Sequence, residues 1–341
     1  MKKIFGSVVF GFVALVSVAQ DPQFSQYYQS PLYLNPGFTG ITGQQRITFI
    51  NRIQWPNLPQ AFTTYAASYD IWVDELRSGF GIIATTDKAG SAGWRTTTVG
   101  LNYSYKLRLT DKLVFSPGLS FGYGINGLDR SKLSFGDGLE FNGQSLDPLQ
   151  QRLGNTQYFD FSAGFVLYNK SLFFGSAFSH INNPNLSILS TETRLPMKMV
   201  FHGGGRITLN GGIRTVAKPS YLTPSFIYRI QGDISQLDVG LNYHVDPVSL
   251  GVWYRGKPFE TTVIKTVQQD ALIFTMGIYL KSLTVGYSYD FTTSSLSTAS
   301  GGAHEISLVY EFEAKPLHRG VKKRNRLIPC PTFNSKAGFW N

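Results

Sequence analysis

Chemistry in this chain would have to come from five histidines, one cysteine and a scatter of charges set into alternating stretches. A hydrolase needs one of His180, His202, His244, His304 or His318 between a nucleophile and an orienting acid. No nucleophile-elbow pattern accompanies them, and His202 and His244 fall inside predicted strands. Gly203-Gly204-Gly205-Arg206 and Gly136-Asp137-Gly138 resemble phosphate and calcium loops only loosely, because neither precedes a helix N-terminus or completes a ligand set. No catalytic residue, metal centre or cofactor is therefore expected. Cys330 is the single cysteine, which excludes an internal disulfide and leaves a packed thiol. The charges are more telling. Lys106, Asp160, Arg229, Asp238, Arg255, Asp290 and Glu311 all lie in the polar register of their stretches. Isolated charges in a narrow interior are costly, so a mutually paired network is expected.

The elements that must position these charges are strands. Leu113, Phe115, Leu119, Phe121 and Tyr123 alternate with Val114, Ser116, Gly118, Ser120, Gly122 and Gly124. Leu237, Val239, Leu241 and Tyr243 alternate with Asp238, Gly240, Asn242 and His244, and the stretch Leu283–Phe291 repeats the pattern. Side chains two apart share a face, so one face of each stretch is apolar and the other small or polar. Ten-residue stretches of this kind, with no longer apolar run after the first twenty residues, read as an all-β transmembrane antiparallel β-barrel. Closure is required, because an open edge in hydrocarbon leaves backbone groups unsatisfied. Charged residues make up only 15% of the chain and aromatics 14%. Trp72, Trp94, Tyr103, Tyr105, Trp253 and Tyr254 lie near strand ends and are candidates for interfacial girdles.

About 14 strands are predicted between residues 45 and 313. Short connections at Asp74–Ser78, Leu109–Asp111, Asn169–Lys170, Asp246 and Lys281 alternate with long ones at Thr85–Gly93, Asn126–Asn155, Asn182–Pro196, Gly256–Gln269 and Thr292–Gly302. Long loops face outward in barrels of this class, which puts both chain ends on the periplasmic side. Ahead of the barrel, Lys2 and Lys3, an apolar stretch from Ile4 to Val16 and Ser17-Val18-Ala19 form a secretory signal, with the mature protein beginning at Gln20. The domain reading is a signal peptide over 1–19, an N-terminal plug or periplasmic segment over 20–44, an outer-membrane β-barrel over 45–313, and a basic periplasmic tail over 314–341. Seven of the ten net positive charges belong to that tail, and the barrel is close to neutral, which argues against a nucleic-acid partner. Inward glycines such as Gly118, Gly164 and Gly286 leave room for a folded-in segment, either the N-terminus or the Asn126–Asn155 loop.

The N-terminal sequence Asp21-Pro22-Gln23-Phe24-Ser25-Gln26-Tyr27-Tyr28, followed by Pro31-Leu32-Tyr33-Leu34-Asn35-Pro36-Gly37-Phe38-Thr39-Gly40, resembles the opening of the PorP/SprF family of outer-membrane proteins. The likeness continues through Phe161-Ser162-Ala163-Gly164, His180-Ile181-Asn182-Asn183-Pro184, Gly286-Tyr287-Ser288-Tyr289-Asp290 and Gly302-Ala303-His304-Glu305-Ile306-Ser307-Leu308, and ends with Cys330-Pro331-Thr332-Phe333. Gly302-Ala303 departs from the Gly-Ser expected before the His-Glu pair. The resemblance implies a non-enzymatic role in type IX secretion and gliding motility: export or surface anchoring of a large adhesin, with periplasmic lipoproteins of that apparatus as partners.

Three groups of site residues follow. Phe24, Tyr27, Tyr28 and Asn35 lie in a segment without alternation and are candidates for a lumen plug. Trp55, Pro56 and Leu58, with Leu186, Ile188 and Leu189, are apolar residues on outer loops and candidates for docking the adhesin's C-terminal domain. Lys322, Lys323, Arg324, Arg326, Phe333 and Trp340 make the tail a candidate contact for periplasmic partners or for anionic lipid. The competing class is a passive porin or small-molecule transporter, which shares barrel and signal and differs in conductance.

Overall fold

The computed structural model describes residues 21–58, 61–90, 93–129, 154–188, 192–209, 220–256, 271–293, 300–312 and 330. Its strands are β1 (Gln45–Gln54), β2 (Phe62–Val73), β3 (Ser78–Ala89), β4 (Trp94–Tyr105, extended by Leu107–Arg108), β5 (Val114–Leu128), β6 (Thr156–Tyr168) and β7 (Leu172–Ser179). They continue as β8 (Lys198–Gly205, extended by Ile207–Leu209), β9 (Ser220–Gln231), β10 (Ile234–Val245), β11 (Val248–Gly256), β12 (Ala271–Leu280), β13 (Leu283–Thr292) and β14 (Ala303–Phe312). Each pairs antiparallel with its chain neighbours, and β14 pairs with β1 from Gln45 opposite Phe312 to Gln54 opposite Ala303. The result is a closed 14-strand barrel with no unpaired edge to hydrocarbon.

Alternation decides which face meets lipid. On β4, Leu101 is 61% exposed while Asn102 is 4% exposed; on β5, Phe121 is 57% exposed and Ser116 fully buried. Outward aromatics meet across strands: Phe121 lies edge-on to Phe161 at 5.3 Å, and Tyr123 packs on Phe159 at 5.5 Å. Such cross-strand pairs bind neighbouring strands together and fill the apolar belt.

Three expectations need correction. The connection after β3 is short, because the strand runs on to Ala89, with Thr85 and Thr86 hydroxyls against those of Thr98 and Thr97. Trp72 and Trp253 are not girdle residues: they are 5% and 2% exposed and face the lumen, sharing parity with Asp70 and Arg255. Tyr103 and Tyr254 do face outward. The expectation of a periplasmic start for the N-terminal segment is also overturned, because Asp21, the first described residue, sits beside His180 and Lys198 at the long-loop end of the barrel; residues 313–329 and 331–341 lie outside the described residues.

From Asp21 the chain descends through the barrel interior as a 3-10 turn (Tyr27–Gln29), a one-turn helix α1 (Pro31–Leu34) and a second 3-10 turn (Pro36–Phe38). It reaches the short-turn end at Gly40, whose position is packed against Gly79 and Trp72, and then reverses into β1. The lumen is therefore the core of the protein. Phe38, Val166, Ile227 and Ile273 are almost completely buried in it, in one apolar cluster with Tyr27, Tyr168, Trp253 and Cys330.

Candidate functional site

Three levels of contact hold residues 21–40 inside the barrel. At the outer end, the Asp21 carboxylate accepts from Lys198 Nζ at 2.5 Å and faces His180 Nε2 at 2.7 Å, while His180 Nδ1 lies 3.0 Å from Asp160. Burial opposes charge on the imidazole, but the Asp21 and Asp160 carboxylates outweigh it and hold the His180 pKa at about 9. Burial likewise opposes the Asp21 anion, and the Lys198 and His180 charges more than compensate, keeping it well below the usual carboxylate range.

In the middle, the Glu305 carboxylate accepts the backbone N–H groups of Ser25 and Gln26, each at 2.8 Å. The Gln26 side-chain amide donates to the Glu305 carbonyl and accepts from Ser307 Oγ. Ser25 Oγ donates to Asp290 at 2.7 Å and accepts from Arg52 and Arg255. These groups belong to a chain of buried ion pairs: Arg52 with Asp290 and Glu305, Arg255 with Asp290 and Asp238, and Arg229 with Asp238.

Near the short-turn end the plug backbone meets wall side chains. Asn35 Nδ2 donates to the carbonyls of Phe165 and Ser176 and lies 3.0 Å from His202 Nε2, while its Oδ1 accepts from Gly37 N–H. The Thr39 carbonyl accepts from Ser104 and Lys106, and Gly40 N–H donates to Asp70, itself held bidentately by Arg46. Glycine is required on the facing walls. A Cβ at Gly118 would lie 2.4 Å from Gly37 N, one at Gly79 2.2 Å from the Thr39 carbonyl, and one at Gly164 2.4 Å from Asn35 Oδ1.

Beside this segment, and opening toward the long-loop end, runs a cavity of about 1140 Å³, lined by Asp21, Tyr33 and Pro36 of the segment and by Trp55, Trp94, Asn102, Tyr158 and Leu186 of the wall. Trp55 and Leu186 thus come together on one space; the Trp55 ring is edge-on to Phe62 at 5.4 Å, and the Leu186 carbonyl accepts from Asn126. Pro56 is exposed, whereas Leu58 and Ile188 are half-buried and do not line the cavity. Leu189 lies outside the described residues, as do Lys322, Lys323, Arg324, Arg326, Phe333 and Trp340.

Phe24 and Tyr27 are buried, Tyr28 is half-buried, and Tyr27 stacks edge-on with Trp253 at 5.0 Å. His202 serves the plug through Asn35, and His244 packs edge-on against Tyr279 at 4.8 Å. The network residues not singled out from sequence are Arg46, Arg52, Asp70 and Glu305. All four share the parity of inward neighbours, which was the available signal.

The sequence pattern of the family described as "Type IX secretion system membrane protein PorP/SprF" matches residues 16–310. No curated protein matches the chain. Among solved structures, the P. putida toluene transporter TodX is similar at 10% identity, over 84% of this chain and 95% of that one, with a TM-score of 0.48. The Acinetobacter baumannii outer membrane protein Omp33 is similar at 9% identity, over 81% of this chain and 100% of that one, with a TM-score of 0.41.

Two outcomes are expected. Glu305→Ala removes the acceptor for two backbone N–H groups and leaves Arg52 short of a counter-charge, a loss on the order of 3–5 kcal/mol for a buried pair. Limited proteolysis should then cut between Phe24 and Tyr28 in the folded barrel, where wild type resists. Because the folded His180 pKa stands above its ordinary 6.5, the clip's contribution is fully present below about 6.5 and lost as pH rises through about 9. Cleavage near Asp21 should accelerate across that window, and His180→Asn should flatten the pH dependence.

Proposed function

The chain belongs to the PorP/SprF family of type IX secretion system membrane proteins, and from that premise we propose that it is a plugged anchor: a barrel that holds the C-terminal domain of a secreted surface adhesin at its outer mouth. The protein is an outer-membrane β-barrel, and its family and fold are those of a secretion or channel-like membrane protein rather than of a known enzyme family.

The observation that supports the anchor reading is the wide cavity, with Trp55 and Leu186 on its wall, that opens beside residues 21–36 in a lumen this segment crosses. Apolar side chains around an open cavity have a hydrophobic incentive to be covered. A segment held by Glu305, Asn35 and Thr39 across the interior is a poor conduit for solutes, and so the anchor is preferred to a passive porin or small-molecule transporter.

On the periplasmic side, the basic tail from 314 to 341 would engage lipoproteins of the secretion and gliding apparatus. Burial of Cys330 in the lumen cluster supports tethering of that tail at the short-turn end of the barrel.

Trp55→Glu combined with Leu186→Glu should release the adhesin into the medium while the barrel level in the outer membrane stays constant; retention at the wild-type level would overturn the reading. Deleting residues 322–341 should abolish co-purification of the periplasmic lipoproteins. Recovery of those lipoproteins in unchanged yield would remove the tail from the proposal.

A further inference from the structure

Inward side chains at the mouth of an open barrel face water, but at the short-turn end of this one they do not. Lys106 just past Tyr105 of β4, Val114 at the start of β5, Tyr168 at the end of β6 and Phe173 near the start of β7 are only 1% to 5% exposed. Val114, Tyr168 and Phe173 share one apolar cluster with Phe38 and Ile41 of the N-terminal segment and with Cys330, itself 1% exposed. The Cys330 thiol is an electrostatic neighbour of Lys106, Tyr168 and Arg206, which stand at the ends of three different strands, and of Tyr27 in the N-terminal segment. A group that meets three strands of the wall and the inner segment at once lies inside the ring.

Cys330 reaches that place without crossing the wall. β14 ends at Phe312, opposite Gln45 at the short-turn end, and residues 313–329 intervene. An extended chain of that length spans up to roughly 60 Å, against about 34 Å for a ten-residue strand. A free cysteine packs as a small apolar group, so its burial among Tyr168, Val114 and Phe173 removes apolar surface on both sides from water. The position also bears on the large cavity, whose lining on β4 runs as far as Asn102. Past Asn102 toward the short-turn end, Ser104 and Lys106 donate to the Thr39 carbonyl, and the Lys106 ammonium lies 4.7 Å from the centre of the Trp72 ring. Lys106 is therefore where the N-terminal segment, the wall and the Cys330 thiol converge at the inner end of the cavity.

We infer that the chain's own C-terminal segment docks through Cys330 inside the short-turn mouth as a second stopper, which keeps the cavity from continuing through the barrel. The N-terminal segment narrows the lumen, and the C-terminal one completes the closure. This goes beyond the anchor reading and does not depend on it, because it concerns which segments shut the barrel rather than what the cavity holds.

The test compares full-length protein with a variant lacking residues 314–341, which keeps every strand, in planar bilayers. The deletion should raise steady conductance at least tenfold, and a synthetic peptide of residues 322–341 should lower it again from the short-turn side only. The same peptide carrying Cys330→Arg should not block, because a guanidinium does not fit an apolar site already holding Lys106. A second measurement decides the matter even where the deletion fails to fold. In the folded full-length barrel a membrane-impermeant maleimide should label Cys330 at least tenfold more slowly than Lys112→Cys, on the exposed turn between β4 and β5, in a Cys330→Ser background. Equal labelling rates, conductance unchanged by the deletion in a folded barrel, or a peptide that blocks from neither side or from both alike would overturn the inference. No adhesin or lipoprotein is present, so failure here leaves the anchor reading to the Trp55 and Leu186 variants.

Discussion

Three arginines and three acids lie linked in the middle of a barrel, and removing them from water costs several kcal/mol per ion unless every lone pair and N–H finds a partner. Wall side chains alone do not complete the set. Glu305 spends both carboxylate oxygens on the backbone of Ser25 and Gln26, and Ser25 Oγ sits where Arg52, Arg255 and Asp290 converge. The N-terminal segment is therefore a structural part of the interior network, and the network in turn fixes the segment's position.

Polar and apolar packing divide the interior between them. Where the charges stop, Phe38, Val166, Ile227 and Ile273 pack with Tyr27 and Trp253. Close approach is possible because glycines on β3, β5 and β6 remove side chains just where Asn35, Gly37 and Thr39 pass. A methyl group at Gly118 or Gly79 would meet backbone, which cannot yield. Size complementarity and charge complementarity thus act on the same short segment at different heights.

Strand number, closure and outward face were readable in the sequence because a two-residue period has one interpretation once a strand is long enough. Gly118, Gly164 and Gly286 could likewise be assigned inward by parity alone. Trp72 and Trp253 could not be placed by residue type: aromatics near strand ends suggest an interface, yet each shares parity with Asp70 or Arg255. On β1, apolar residues occupy both parities, with Ile50 among Arg46, Thr48 and Arg52, and so its inward charges went unnoticed. The direction of the N-terminal segment left no sequence signal, since it depends on Asp21 meeting His180 and Lys198, residues more than 150 positions away.

The path of residues 21–44 has a consequence for how the ring is held shut. From Asp21 near the outer rim the chain passes inside the ring and only then supplies the first strand, while ring closure joins that strand to the last one. The strand that closes the ring onto β1 also carries Glu305 and Ser307, which hold Ser25 and Gln26, so the seam of the barrel and the grip on its interior segment are one strand.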